Sequence, residues 1–221
     1  VSVFNSEQSL AKSLLSSTLK TLGMFNFRGD NEWRHNLSGS PMMICPVGIL
    51  FILGIILAVV RFIKVNKLIY GFIISWFIIM LIPSFLSAEG IPHALRSIGV
   101  IPVVYIFSAL GFVWIFEKIK PFMGPKYFAS LILVILITLG YIQFTKYFVW
   151  WGNNPNVQGA FRQDLVNIGN YLNSLPQNIN RYIIVNESGI LVDNIPMPSQ
   201  TIKFITYKKN DIQYILPDEL D

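Results

Sequence analysis

Charge is scarce in this chain. Only 13% of its 221 residues are Asp, Glu, Lys or Arg, while 53% are hydrophobic and the mean hydropathy is +0.54. A soluble domain of this length carries about a quarter charged residues. The deficit is concentrated between residues 44 and 149, which points to membrane spans rather than a uniformly apolar globule. Cysteine is almost missing: Cys45 stands alone, which excludes an internal disulfide and leaves the redox compartment open. No Lys/Arg block is present, and the net charge of +5 is dispersed, so nucleic acid is not an expected partner. There is no Cys/His metal set, no Gly-rich phosphate loop with its Lys and no Gly-x-Ser-x-Gly elbow. The sequence therefore leads us to expect neither a metal nor a cofactor. Almost no ionisable residue interrupts the apolar runs, which argues against an ion-coupled transporter. No internal repeat or low-complexity tract occurs. The first residue is Val, and nothing near it has the form of a signal peptide, so the chain reads as the later part of a longer protein.

Four long apolar runs remain, at residues 44–62, 68–85, 99–116 and 127–148. Each approaches the ~20 residues that a spanning helix needs. Arg61, Lys64 and Lys67 separate the first two runs, and Lys118, Lys120 and Lys126 the last two. Positive loops stay cytoplasmic. The middle loop, the N-terminal segment and the C-terminal segment are therefore expected on the outer side. Upstream, residues 9–25 read as an amphipathic helix, with Leu10, Leu14, Leu15, Leu19 and Leu22 spaced by threes and fours. Two placements fit it: flat on the outer leaflet, or packed on the protein. Beyond residue 149 polar residues return. A helix over 158–175 and strands over 181–186, 201–206 and 212–216 are expected, forming a small α/β appendage. The expected fold is mainly α, a polytopic membrane helix bundle of about four spans with a small extracytoplasmic α/β C-terminal domain. It divides at 1–43, 44–149 and 150–221.

Two outer stretches hold the residues capable of chemistry. The first is Asn26-Phe27-Arg28-Gly29-Asp30-Asn31-Glu32-Trp33-Arg34-His35-Asn36, reaching the span through Pro41. Asp30, Glu32, Arg34 and His35 are the right types for a polar ligand, and Trp33 offers a face for a sugar ring. Equally, an Asp30–Arg34 pair orders such a loop while Trp33 anchors it. The second stretch runs from Glu89 to Arg96. Pro92 suits a helix first turn, which places His93 and Arg96 three apart on one face. Arg96 presents a planar fork to phosphate. It can also simply snorkel to the interface or pair with Glu89.

The segment Gly29-Asp30-Asn31-Glu32-Trp33-Arg34-His35-Asn36, followed by Ser87-Ala88-Glu89-Gly90-Ile91-Pro92-His93-Ala94-Leu95-Arg96 with Pro102 in the next run, resembles the C-terminal half of bacterial membrane glycosyltransferases of the GT-C fold. These enzymes take sugars from polyprenyl phosphates. They are similar to dolichyl-phosphate-mannose protein mannosyltransferases and to the aminoarabinose transferases of lipid A. The resemblance covers the organisation of residues 25–149. It implies an integral membrane protein of the bacterial plasma membrane, with a polyprenyl-phosphate-linked sugar and membrane lipid as partners. The acceptor would be a glycan, lipid or protein. In that family a basic residue ahead of a late span binds the donor phosphate, and Arg96 and His93 match that position. Glu89, Arg34 and His35 lie where they would help hold the donor. The family's catalytic acids sit in an earlier outer loop, absent here, and Asp30 and Glu32 do not correspond to them. The catalytic residues of this chain are therefore unassigned. Two other readings share the same sequence features. One is a non-enzymatic lipid-linked glycan carrier or flippase component, and the other is a membrane assembly subunit.

Overall fold

The computed structural model describes residues 9–87, 89–176, 178–207 and 212–216, so Ala88 of the second outer stretch lies outside the described residues. The chain forms two compact units, Val1–Asn153 and Asn154–Asp221. It is mainly helical.

In the first unit, α1 (Leu10–Gly23) is followed by α2 (Cys45–Lys64), α3 (Lys67–Phe85), a 3₁₀ segment (Leu95–Val100), α4 (Ile101–Ile119) and α5 (Pro125–Phe144). A π-helical turn, Thr145–Trp151, continues α5. Local chemistry sets these boundaries. Proline opens α2, α4 and α5 in the first turn, where its missing N–H costs nothing. The Asn66 side chain caps α3 by accepting from the Ile69 amide at 3.0 Å. Arg61 and Lys64 close α2 at its carbonyl end. The four apolar runs thus become four helices long and apolar enough to cross a membrane.

Glycine and phenylalanine build the bundle. A Cβ on Gly54 of α2 would lie 1.7 Å from the Phe107 carbonyl oxygen of α4, and one on Gly111 of α4 would lie 2.2 Å from that of Leu50. These two glycines let the backbones of α2 and α4 touch, as small residues do between spanning helices. Phe25, Phe51, Phe77 and Phe107 interlock at the centre, with ring centroids 5.2 to 6.2 Å apart. That is the preferred range for tilted and edge-on aromatic pairs.

α1 lies against α3 through a face centred on Ser17 and Thr21, away from Leu15 and Leu19. Ser17 and Thr21 are fully buried, whereas Leu15 and Leu19 are each 61% exposed. The Ser17 hydroxyl reaches the carbonyls of Ser84 and Ser87, at 2.9 Å each. Carbonyls at a helix end lack intrahelical partners, and a small hydroxyl residue supplies a donor there at close range. Ser84 in turn shares a hydrogen bond with Ser97 at 2.7 Å, fastening α3 to the 3₁₀ segment. The helix is therefore packed on the protein, with Leu15 and Leu19 turned away from it.

The second unit holds α6 (Pro155–Ala160), α7 (Gln163–Ser174), β1 (Arg181–Ile184), β2 (Leu191–Val192), β3 (Ile195–Pro196), α8 (Gln200–Ile205) and β4 (Ile212–Ile215). β1 and β4 pair in parallel, Arg181 opposite Ile212. β2 and β3 form a hairpin across Asp193 and Asn194, both at positive φ. The helix expected over 158–175 is broken in two, because Arg162 takes a left-handed conformation at φ 55°. The strand expected over 201–206 is instead α8. Its Ile202 is buried against Leu165 and Leu172 of α7, and its Ile205 stands over Gly169. An apolar–polar alternation of six residues fits a strand and one helical turn equally well, and packing decides between them.

Candidate functional site

Asp30 organises the end of the first unit at which α2 begins. The loop that carries it closes through Gly39 N–H donating to the Asp30 carbonyl at 2.8 Å and Gly29 N–H donating to the Gly39 carbonyl at 3.2 Å. Both glycines are required. Gly39 sits at φ +70°, and a Cβ on Gly29 would lie 2.1 Å from the Ser40 carbonyl oxygen. Asp30 is only 3% exposed, and its side chain takes three N–H donors. Its Oδ1 accepts from the Glu32 amide at 2.8 Å. Its Oδ2 accepts from the Ala94 amide at 2.8 Å and from His35 Nδ1 at 2.9 Å. Asp30 therefore joins the first outer stretch to the second across 64 residues of sequence. The His35 ring then faces that of His93, with centroids 4.9 Å apart.

The other charges follow a pattern different from the pairs considered in the sequence. Arg34 pairs with Glu32, not Asp30, at 3.1 Å, and both side chains are exposed. The Arg34 hydrogen bond holds the Glu32 carboxyl below its usual range. Arg96 donates to the Ser87 hydroxyl and, at 3.2 Å, to the Glu89 carbonyl. It braces the second stretch and touches Glu89 through the backbone. Pro92 follows a cis peptide bond, and the 3₁₀ segment starts only at Leu95, so Pro92 does not open a helix. His93 Nδ1 accepts from the Arg96 amide at 3.3 Å. Burial, and then the nearby Arg96 charge, push the His93 pKa below 6.5 and leave the ring neutral at pH 7.

Two clefts meet at Arg34, His35 and Met42. The larger, about 420 Å³, is apolar. Its walls run from Met24, Phe25 and Met43 along Ala94, Ile98 and Ile101 to Val104 and Tyr105 of α4. The smaller, about 200 Å³, is polar, with Asn36, Gln143, Lys146 and Trp151 in its walls. Arg96 lines neither cleft. Lys146 was not singled out in the sequence. It is a lone cation near the end of the last apolar run, and that isolation is the signal that marks it. Its ammonium donates to the Pro41 carbonyl at 2.9 Å. Among the described residues no carboxylate lies within ion-pair distance of it. The Trp151 indole donates to the Trp33 carbonyl at 2.8 Å, so Trp33 is held through its backbone. Asp30, His35, His93 and Arg34 are thus brought together, while Arg96 and Glu89 form the frame of the neighbouring loop.

The arrangement suits an amphiphilic anion. An apolar slot adjoins a polar pocket edged by an arginine, a lysine and an imidazole. Comparison with protein-family models, with curated proteins and with solved structures finds no match to this chain.

Proposed function

We propose that the first unit binds a polyprenyl-phosphate-linked sugar at the outer face of a membrane, and that the chain is part of a glycosyltransferase using that donor. The observation that carries this reading is the pairing of the two clefts about Arg34 and His35. The prenyl chain fits the apolar slot beside α4. The phosphate lies at Arg34, with Lys146 supplying a second positive charge, and the sugar occupies the polar pocket near Trp151. Arginine presents a fork of donors to phosphate, while lysine acts as a point charge. Hydroxyls of a sugar match the amide groups of Asn36 and Gln143. The phosphate contact is assigned to Arg34 in place of Arg96 because Arg34 lines both clefts and Arg96 lines neither; the Glu32 carboxylate that pairs with Arg34 has to yield to the phosphate. The resemblance of both outer stretches to polyprenyl-phosphate-dependent transferases supplies the reaction class. In that reaction the acceptor hydroxyl loses its proton, attacks the anomeric carbon and expels the lipid phosphate. Cations at the phosphate offset the charge that builds on it as it leaves.

The test is binding of a polyprenyl phosphate to the chain in lipid nanodiscs, followed by native mass spectrometry. Arg34→Ala should weaken binding about tenfold or more, and Lys146→Ala by a comparable factor. Arg96→Ala should leave binding closer to that of the parent. Unaltered binding in both Arg34→Ala and Lys146→Ala removes the lipid phosphate from these clefts.

A further inference from the structure

Asp30, His35 and His93 are three classical metal-ligand side chains, and the fold places their donor atoms within 4.8 Å of one another. The sequence offers no metal spacing, because the third residue arrives from a loop 58 positions beyond His35. We propose that these three side chains bind a single divalent transition-metal cation of the zinc class.

Four observations carry the assignment. The donor set is one carboxylate oxygen and two imidazole nitrogens, a combination that suits zinc and its neighbours rather than magnesium or calcium. The separation fits as well. Asp30 Oδ2 and His35 Nδ1 are 2.9 Å apart. Two donors at about 2.0–2.1 Å from a tetrahedral zinc lie about 3.3 Å from each other, so this pair spreads by a few tenths of an ångström, while the His93 nitrogen, within 4.8 Å of them, moves inward to complete the set. The site is also pre-shaped. Asp30 is 3% exposed and is held by the Glu32 and Ala94 amides, neither of which has to let go when Oδ2 uses its remaining lone pair. Such outer hydrogen bonds orient metal ligands. Finally, two imidazole rings stand 4.9 Å apart beside one buried carboxylate, and a cation between them satisfies all three at once.

Two existing contacts yield to the metal. His35 Nδ1 gives up the proton it now shares with Asp30. The His93 ring gives up the 3.3 Å approach of the exposed Arg96 amide, which water replaces. Three protein donors leave a fourth position for water or an anionic oxygen. His35 lines both clefts, so that position adjoins the proposed ligand space. The metal assignment does not rest on the lipid reading, and the two are measured separately.

The chain, stripped with a chelator and held in detergent micelles without prenyl lipid, is titrated with Zn²⁺ by isothermal calorimetry. One ion per chain is expected, with His93→Gln and Asp30→Asn each lowering affinity at least about tenfold. Cys45→Ala, which removes the only thiol, should leave binding unchanged. The chain has only two histidines, which gives a variant-free check. Zn²⁺ should protect both from carbethoxylation by diethyl pyrocarbonate, read by peptide mass spectrometry. The proposal is overturned if the parent chain takes up no stoichiometric Zn²⁺. Binding that survives His93→Gln, binding lost in Cys45→Ala, or histidines modified equally with and without Zn²⁺ would overturn it too. Polyprenyl-phosphate binding by the stripped chain, measured in parallel, stands or falls independently.

Discussion

At the scale of single residues, one carboxylate does most of the organising. Asp30 is the point at which two loops far apart in sequence are locked together, and it brings a half-buried His93 beside His35. That burial makes stability depend on pH. The folded His93 resists protonation, through desolvation first and the Arg96 charge second, with Asp30 and Glu32 pulling the other way and His35 adding to the resistance. The unfolded chain protonates near pH ~6.5. The unfolded state then binds more protons than the folded state, so stability is lost as pH falls from about 6.5 toward the lower folded pKa, and is flat above that window. The melting temperature in micelles should hold steady at pH ~8 and drop toward pH ~5.5. His93→Gln should flatten that drop. An equally steep profile in the variant would place the pH sensitivity elsewhere. The identities of these residues were legible in the sequence, but their roles were not. Arg96 was singled out for its type and position, and the structure commits it to the Ser87–Glu89 loop. His35 and Asp30 stood among plausible polar residues, and only the fold brings His93 to them.

At the scale of elements, the contact between α2 and α4 is the most exacting. The Gly54 and Gly111 positions have backbone, not side chain, in the space a Cβ would need. Overpacking of this kind costs about 1–3 kcal/mol even where side chains can yield, and backbone yields less. Gly54→Val should therefore separate the two helices and lower the melting temperature markedly, whereas Gly140→Ala, where nothing lies within 4 Å, should be neutral. Comparable melting temperatures for the two variants would show that the close approach is not needed. The four apolar helices and α1 were readable because length, apolarity and flanking charge or proline are local properties. The side on which α1 packs was not readable. A leucine stripe normally marks the buried face of a helix, yet here the fully buried positions are Ser17 and Thr21, while Leu15 and Leu19 point away. The second unit was harder still. Its strands are two to four residues long, and Arg162 interrupts an otherwise continuous helical pattern.

At the scale of the whole molecule, the apolar surface sets the terms. The four helices long enough to cross a membrane are only 22%, 17%, 33% and 6% buried over their most apolar windows, so most of that surface needs lipid or another apolar partner. With Arg61 and Lys64 at the opposite end of α2 from the Asp30 loop, the proposed orientation places the clefts outside. Protease added to intact spheroplasts should then reach residues 154–221 and leave the basic loops around Lys64 and Lys120 protected. Full protection of that tail would reverse the orientation. The last of the four helices is the least covered. Among the described contacts, it is held mainly by Phe128 against Phe116 and, past its end, by the Lys146 and Trp151 bonds to the Pro41 and Trp33 carbonyls. Those two bonds sit at one end only, beside the polar cleft. Along the rest of its length this helix leaves most of its apolar surface uncovered. On the proposed lipid reading, a long-tailed guest would enter edgewise past this helix without crossing water, and its head group would meet Arg34 and Lys146 only after the tail.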